Sequence, residues 1–161
     1  MLAGMTPTAP RWLTEDEAHA WLAYRRMNLL LNAQVNRDLA DGSGLSEPDY
    51  DVLSNLTEGN GRRRLTELAD RMLWSKSRLS HHITRMQTRG LVAREDVDGD
   101  GRGSTIVLTD AGRRAIEEAA PGHVASVRRH FIDLLTPEQI RALAEIGDVV
   151  LGPLTDGAGA G

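Results

Sequence analysis

Cysteine is absent from the 161 residues, and with it go disulfides, thiolate metal ligands, thiol nucleophiles and cysteine-based redox sensing. Aromatic residues make up only 4%, which argues against an aromatic-lined carbohydrate groove or a stacking platform for single strands. No uncharged apolar run is long enough to predict a membrane span. The opening MLAGMTPTAPRW lacks a charged stretch followed by an apolar one, so no secretion signal is read there and the expected location is cytoplasmic. A phosphate loop, a nucleophile motif and a carboxylate–histidine cluster are all missing, and no catalytic residue, cofactor or metal is expected. The paired His81-His82 does not change that, because neighbours on a helix diverge by about 100° and share one ion poorly.

What is present suits one domain: 40% hydrophobic residues is ample for a core and 26% charged residues is ordinary. The net charge of −4 is unevenly spread. Residues 61–94 carry Arg62, Arg63, Arg64, Arg71, Lys76, Arg78, Arg85, Arg89 and Arg94 against only Glu67 and Asp70, so this segment is +7 and the remainder −11. A basic block on an acidic body is the electrostatic footprint of a polyanion-binding protein.

Along the chain, Thr14 with Glu17 forms a capping box opening a long helix to about Leu39, closed near Asp41-Gly42-Ser43-Gly44. Its apolar residues, among them Trp21, Leu22, Leu29 and Leu39, face more than one way and need more than one neighbour to cover them. Ser46, Pro48 and Asp49 start a second helix, broken at Glu58-Gly59-Asn60-Gly61. A short helix over Leu65–Met72 follows, with Thr66 as its cap, and Ser75 caps another that ends at Arg89-Gly90. The period then changes. Two strands, 91–95 and 104–108, flank the polar, glycine-rich DVDGDGRG as a hairpin. Thr109 caps a helix with a kink or break at Pro121-Gly122. Thr136-Pro137-Glu138-Gln139 starts a last helix to about Leu151, ended by Gly152-Pro153. The fold class is therefore mainly α with a small β-hairpin wing. A winged helix-turn-helix at about 46–109 lies between dimerisation helices at about 14–40 and 110–151, in one domain spanning 12–151, with 1–11 and 152–161 as flexible tails.

The helix from Ser75 to Arg89 concentrates the chemistry. Leu79, Ile83 and Met86 form one buried stripe, and Ser77, Arg78, His81, Thr84, Arg85 and Thr88 lie opposite. It contains no Asp or Glu, which phosphate repulsion explains and an ordinary solvated helix of an acidic protein does not. Ser75, Lys76 and Ser77 at its start suit phosphates, Arg78 and Arg85 suit guanine, and His81 or His82 suits base edges. A protein-binding winged module would be free to carry acids here, and this one has none.

LTELADRM, SKSRLSHHITRMQTRGLV and DVDGDGRGSTIVLTDAGR resemble the MarR family of bacterial transcription regulators. The shared features are the Ser- and Arg-rich helix ending at Arg89-Gly90-Leu91-Val92, the wing with Asp96, Asp100 and Arg102, and the closing Leu108-Thr109-Asp110-Ala111-Gly112. One residue fewer than in the family pattern separates Arg89 from Gly90. The resemblance implies a homodimer on a pseudo-palindromic site in double-stranded DNA, acting as a repressor and released by a small phenolic or anionic effector. Trp21, Leu22, Phe131–Leu135, Ile140, Leu143 and Ile146 are the candidate seam. Tyr24, Arg25 and Trp74 could contribute to an effector site, or simply pack. At the wing, Arg102 is expected in an A·T-rich minor groove, with Asp98 or Asp100 orienting Arg102 or Arg94 by an ion pair.

Overall fold

The computed structural model describes residues 10–96 and 103–158. Its elements are α1 (Glu15–Ser43), α2 (Glu47–Glu58), β1 (Arg62–Arg64), α3 (Leu65–Arg71), α4 (Lys76–Thr88), β2 (Val92–Asp96), β3 (Ser104–Leu108), α5 (Asp110–His130), a 3-10 turn (Ile132–Leu134) and α6 (Pro137–Ala158). This is the mainly helical winged helix-turn-helix read from the sequence.

Local chemistry sets the helix starts. Thr14 accepts from the Glu17 backbone N–H while the Glu17 carboxylate accepts from that of Thr14, and Ser46 with Asp49 repeats the exchange. Each arrangement satisfies two otherwise orphaned donors, and losing such a cap costs about 1 kcal/mol. α1 ends where Gly44 turns left-handed, at φ 71°.

Val52, Leu53 and Leu56 of α2, Leu68 of α3, Leu79, Ile83 and Met86 of α4 and Ile106 of β3 are completely buried in one core. Leu39 of α1 and Ile116 and Ala119 of α5 extend it, so the winged helix-turn-helix shares its core with the long helices. α1 and α5 are also joined by polar groups: Asp38 accepts from Ser126 Oγ at 2.7 Å and lies 3.0 Å from His130 Nε2.

Four local expectations are corrected. β1 was not anticipated, because three consecutive arginines carry no strand signal. Pairing with β3, Arg63 opposite Ile106, makes them a strand in a sheet of order β1-β3-β2. Thr66 does not cap α3; Arg64 holds that position without a side-chain bond. α5 runs unbroken through Pro121. Pro121 and Glu117, four residues before it, are both exposed, so solvent can take the carbonyl that the proline leaves without a donor. Likewise α6 passes through Gly152 and Pro153 to Ala158, with Thr155 Oγ1 donating to the carbonyls of Leu151 and Gly152.

The turn between α3 and α4 holds Leu73 at φ 53° and 90% exposed. A left-handed leucine is unusual in a bend that often employs glycine.

Candidate nucleic-acid interface

Ser75 Oγ accepts from the Arg78 backbone N–H at 3.2 Å and fixes the start of α4. Leu79, Ile83 and Met86 are buried as the stripe requires, and Ser75, Lys76, Ser77, Arg78, His81, Thr84, Arg85 and Thr88 are exposed. The exposed face of α4 is free of carboxylate, and its N-terminal end adds the positive pole of the helix dipole.

The basic block divides into two groups. Arg62 pairs with Glu95, Arg63 with Glu67, Arg71 with Glu58 and Arg89 with Asp49. Arg64, Lys76, Arg78 and Arg85 form no ion pair among the described residues. Three of these four lie on α4, so the uncompensated charge is narrower than residues 61–94 and centred on that helix. Arg78 lies with its guanidinium 3.7 Å from the centroid of the Trp74 ring, a cation–π contact that holds it at the mouth of a cleft lined by Ser46, Pro48, Asp49, His82, Arg85 and Arg89.

His82 is the main correction on this helix. It is only 6% exposed and belongs to the buried side, so it cannot reach a base edge. Its position three residues after Leu79 places it within the apolar stripe, a signal that the polar character of histidine masked. Nε2 sits 3.1 Å from Asp49 Oδ1 without good hydrogen-bond alignment, and Nδ1 is 3.0 Å from an Arg85 N–H. The Trp74 ring meets it edge-on, with centroids 5.7 Å apart. Burial pushes the imidazole below its ordinary pKa, and the nearby Arg85 and Arg89 charges reinforce this against the pull of Asp49. The ring is therefore neutral. Asp49, read from the sequence only as a capping acid, is 2% exposed and also accepts from Arg89 at 2.7 Å. Its burial works against ionisation, but the bonds from Arg89 and Ser46 win and hold its carboxyl below the usual range.

Among the described residues Arg94 bonds to α4. Its guanidinium donates to Gln87 Oε1 at 3.0 Å and to the Ser80 carbonyl and hydroxyl at 2.7 and 3.0 Å, tying β2 to the middle of α4. Asp98, Asp100 and Arg102 lie outside the described residues.

The suggested effector residues are not brought together. Tyr24 stacks on Trp21 and Arg25 lies over the same ring, all on α1, whereas Trp74 packs beside α4. A separate cleft of about 280 Å³ between α1, α2 and α5 is lined by Leu31, Val35, Tyr50, Asp51, His123 and Val127, among others. His123 Nδ1 is buried there without a hydrogen-bond partner among the described residues. Of the candidate seam residues, Trp21 and Leu22 on α1, Leu134 in the 3-10 turn and Ile140, Leu143 and Ile146 on α6 expose apolar surface, and Leu29, Val149 and Leu154 add to it.

A family model described as MarR family matches residues 43–103. The chain is 46% identical to AbsC, a MarR family transcriptional regulator from Streptomyces coelicolor, over 91% of this chain and 97% of that one, with a TM-score of 0.81. It is 40% identical to a second MarR family regulator from Streptomyces coelicolor, solved in complex with DNA, over 90% of this chain and 92% of that one, with a TM-score of 0.84. It is also 28% identical to the HTH-type transcriptional repressor YetL of Bacillus subtilis over 109 residues, 67% of this chain and 65% of that protein.

Proposed function

The chain belongs to the MarR family of DNA-binding transcription regulators, which are not enzymes, and on that premise we propose that it is a homodimeric repressor of a pseudo-palindromic operator, released by a small molecule. The observation that carries the reading is the exposed face of α4, which offers Lys76, Arg78 and Arg85 to solvent and no carboxylate. Ser75, Ser77 and His81 share that exposed surface and add phosphate- or base-bonding groups. From the sequence, Arg102 is assigned to an adjoining A·T-rich minor groove, with Asp98 or Asp100 orienting it. Repression is supported by the function named for YetL.

Binding-site selection tests the interface. Arg78→Ala and Arg85→Ala are each expected to cost about 1–3 kcal/mol and to relax preference at particular base pairs. Lys76→Ala should weaken all sequences alike and lower the salt dependence by about one counterion. An unchanged selection profile for both arginine variants would remove α4 from the role of reading helix.

The dimer is supported by α6, where Val149 and Leu154 are 75% and 65% exposed, together with 70% exposed Leu29 and 52% exposed Trp21 on α1. Two such apolar rows on one chain suit a second copy. Two reading helices then address half-sites about one helical turn apart. Sedimentation should give a dimer at micromolar concentration, and Ile146→Glu should weaken it at least tenfold, roughly the cost of burying an unpaired polar group. A wild-type monomer under those conditions would refute this assembly.

The effector cleft favours a neutral phenol over an anion. Glu47 and Asp51 both line it, and burial with the Glu47 charge raises the Asp51 carboxyl above its ordinary pKa. Tyr50, Asp51 and the unpartnered His123 Nδ1 offer bonds to a phenolic hydroxyl. Calorimetry should detect phenol binding and a much weaker response to benzoate; the reverse order would show that the effector sits elsewhere.

A further inference from the structure

His82 makes no contact with solvent that would let it touch DNA, yet it sits between the one buried acid of α2 and an arginine that α4 presents outward. A guanidinium has no acceptor, so the 3.0 Å approach of Arg85 requires that Nδ1 of His82 be the unprotonated nitrogen. The ring proton of the neutral form then lies on Nε2, on the side of Asp49 Oδ1. Asp49 is held in turn by Arg89, and the Trp74 edge closes the other side of the ring. The imidazole can neither swing out nor flip without losing these neighbours.

We propose that His82 is a positioning residue for DNA reading, whose Nδ1 lone pair fixes the direction of the Arg85 guanidinium on α4. This rests on the reading of α4 as the DNA-contacting helix. Only one Arg85 N–H is used by His82, and the remaining donors of the fork stay free for a bidentate bond to guanine. A guanidinium restrained before binding loses less side-chain freedom on contact, and its discrimination between bases rises accordingly.

The same geometry makes the restraint depend on protons. The charged groups around His82 are Asp49 from α2 and Arg85 and Arg89 from α4 and its C-cap, with Arg78 lining the same cleft from over the uncharged Trp74 ring. Protonation turns Nδ1 from acceptor to donor and sets a cation against Arg85. Arg85 is then released, and base discrimination falls while phosphate attraction persists. Acidification therefore loosens sequence preference rather than abolishing binding.

Binding-site selection with the full-length protein at pH 7.5 tests the positioning role, comparing wild type with Arg85→Ala, His82→Asn and His82→Gln after thermal melts confirm folding. Asparagine can place its Oδ1 near the position of Nδ1 and still accept from Arg85; glutamine keeps a donor toward Asp49 and loses that acceptor. His82→Gln should lose at least about fivefold of discrimination at the base pair that Arg85→Ala affects, and His82→Asn should retain it. A wild-type profile for His82→Gln beside an altered one for Arg85→Ala would overturn the positioning role while leaving the reading helix intact. Equal loss in His82→Asn and His82→Gln would overturn it as well, since ring shape and not the acceptor would then matter. An unaltered Arg85→Ala would instead refute the reading on which the proposal rests. In a pH series from 8 to 5.5 with the same folded proteins, wild-type discrimination should fall toward the His82→Gln value, and His82→Asn should stay flat. His81 is common to both proteins and cancels. Equal slopes for wild type and His82→Asn would discard the proton dependence.

Discussion

Gly112→Ala is expected to lower the stability of the fold by at least about 3 kcal/mol, beyond the usual range for a single added methyl. A Cβ at this position would lie 2.0 Å from the Leu91 carbonyl oxygen and 3.0 Å from its carbon. Those are backbone atoms at the junction of α4 and β2, and they cannot turn aside as a flexible side chain would. Thr109 is bound to the same point, its Oγ1 donating to the Gly90 and Leu91 carbonyls at 2.6 and 2.9 Å while accepting from the Gly112 N–H at 3.0 Å. The Leu-Thr-x-x-Gly sequence is thus a weld: Thr109 ties the start of α5 to the end of α4, and Gly112 lets the two backbones meet. A chain that survives the alanine must move α5 away from α4 and carry the winged helix-turn-helix out of register with α1, α5 and α6. Chemical denaturation should report the loss directly. Gly112→Ala with wild-type stability and wild-type DNA affinity would show that this contact is not as close in solution.

Apart from that of α3, the helix starts were legible in the sequence because their chemistry is local. Thr14 with Glu17, Ser46 with Asp49 and Thr136 with Gln139 each complete their bonds within three residues. The same holds for the apolar stripe of α4, since Leu79, Ile83 and Met86 need only the helical repeat to share a side. What escaped was set by partners distant in the chain. Arg62–Arg64 becomes a strand only because β3 lies beside it more than 40 residues later. Pro121 and Pro153 are helix breakers on average, but both stand on exposed faces where the freed carbonyls can be hydrated.

For the site, charge counting pointed to the segment that holds α4 but overstated the uncompensated area. Four of the nine cations in residues 61–94 are consumed by Glu95, Glu67, Glu58 and Asp49, three of which lie outside that window. Arg94 is a structural tether to Ser80 and Gln87. A linear sequence does not show which charges neutralise one another across a fold, and the surplus on Arg64, Lys76, Arg78 and Arg85 emerges only after those pairs are removed.

The second large effect is expected from Asp49→Ala, at about 2–4 kcal/mol. Breaking a buried ion pair from one side usually costs about 3–5 kcal/mol because the other charge stays buried; here the Arg89 side chain is 44% exposed and can turn toward water, which lowers the cost. Asp49 also accepts from the Ser46 N–H at 3.0 Å, so part of the loss is that of a helix cap. The effect should depend on pH in two separate windows. The folded carboxyl of Asp49 is held below the ordinary 3.8, so its contribution is complete above that value and disappears as pH falls through the lower folded pKa. Folded His82 has its pKa lowered from 6.5, so below about that pH the unfolded chain binds a proton that the native ring resists, and stability declines. Both contributions weaken on acidification, His82 first and Asp49 later. Removing Asp49 deletes the lower step and deepens the upper one, since its charge is what favours the imidazolium against Arg85 and Arg89. Urea unfolding of wild type and Asp49→Ala at pH 7.5, 5.5 and 4.5 should therefore show the difference between them growing from 7.5 to 5.5. A difference that shrinks over that interval would mean that Asp49 and His82 are not coupled as their 3.1 Å separation implies.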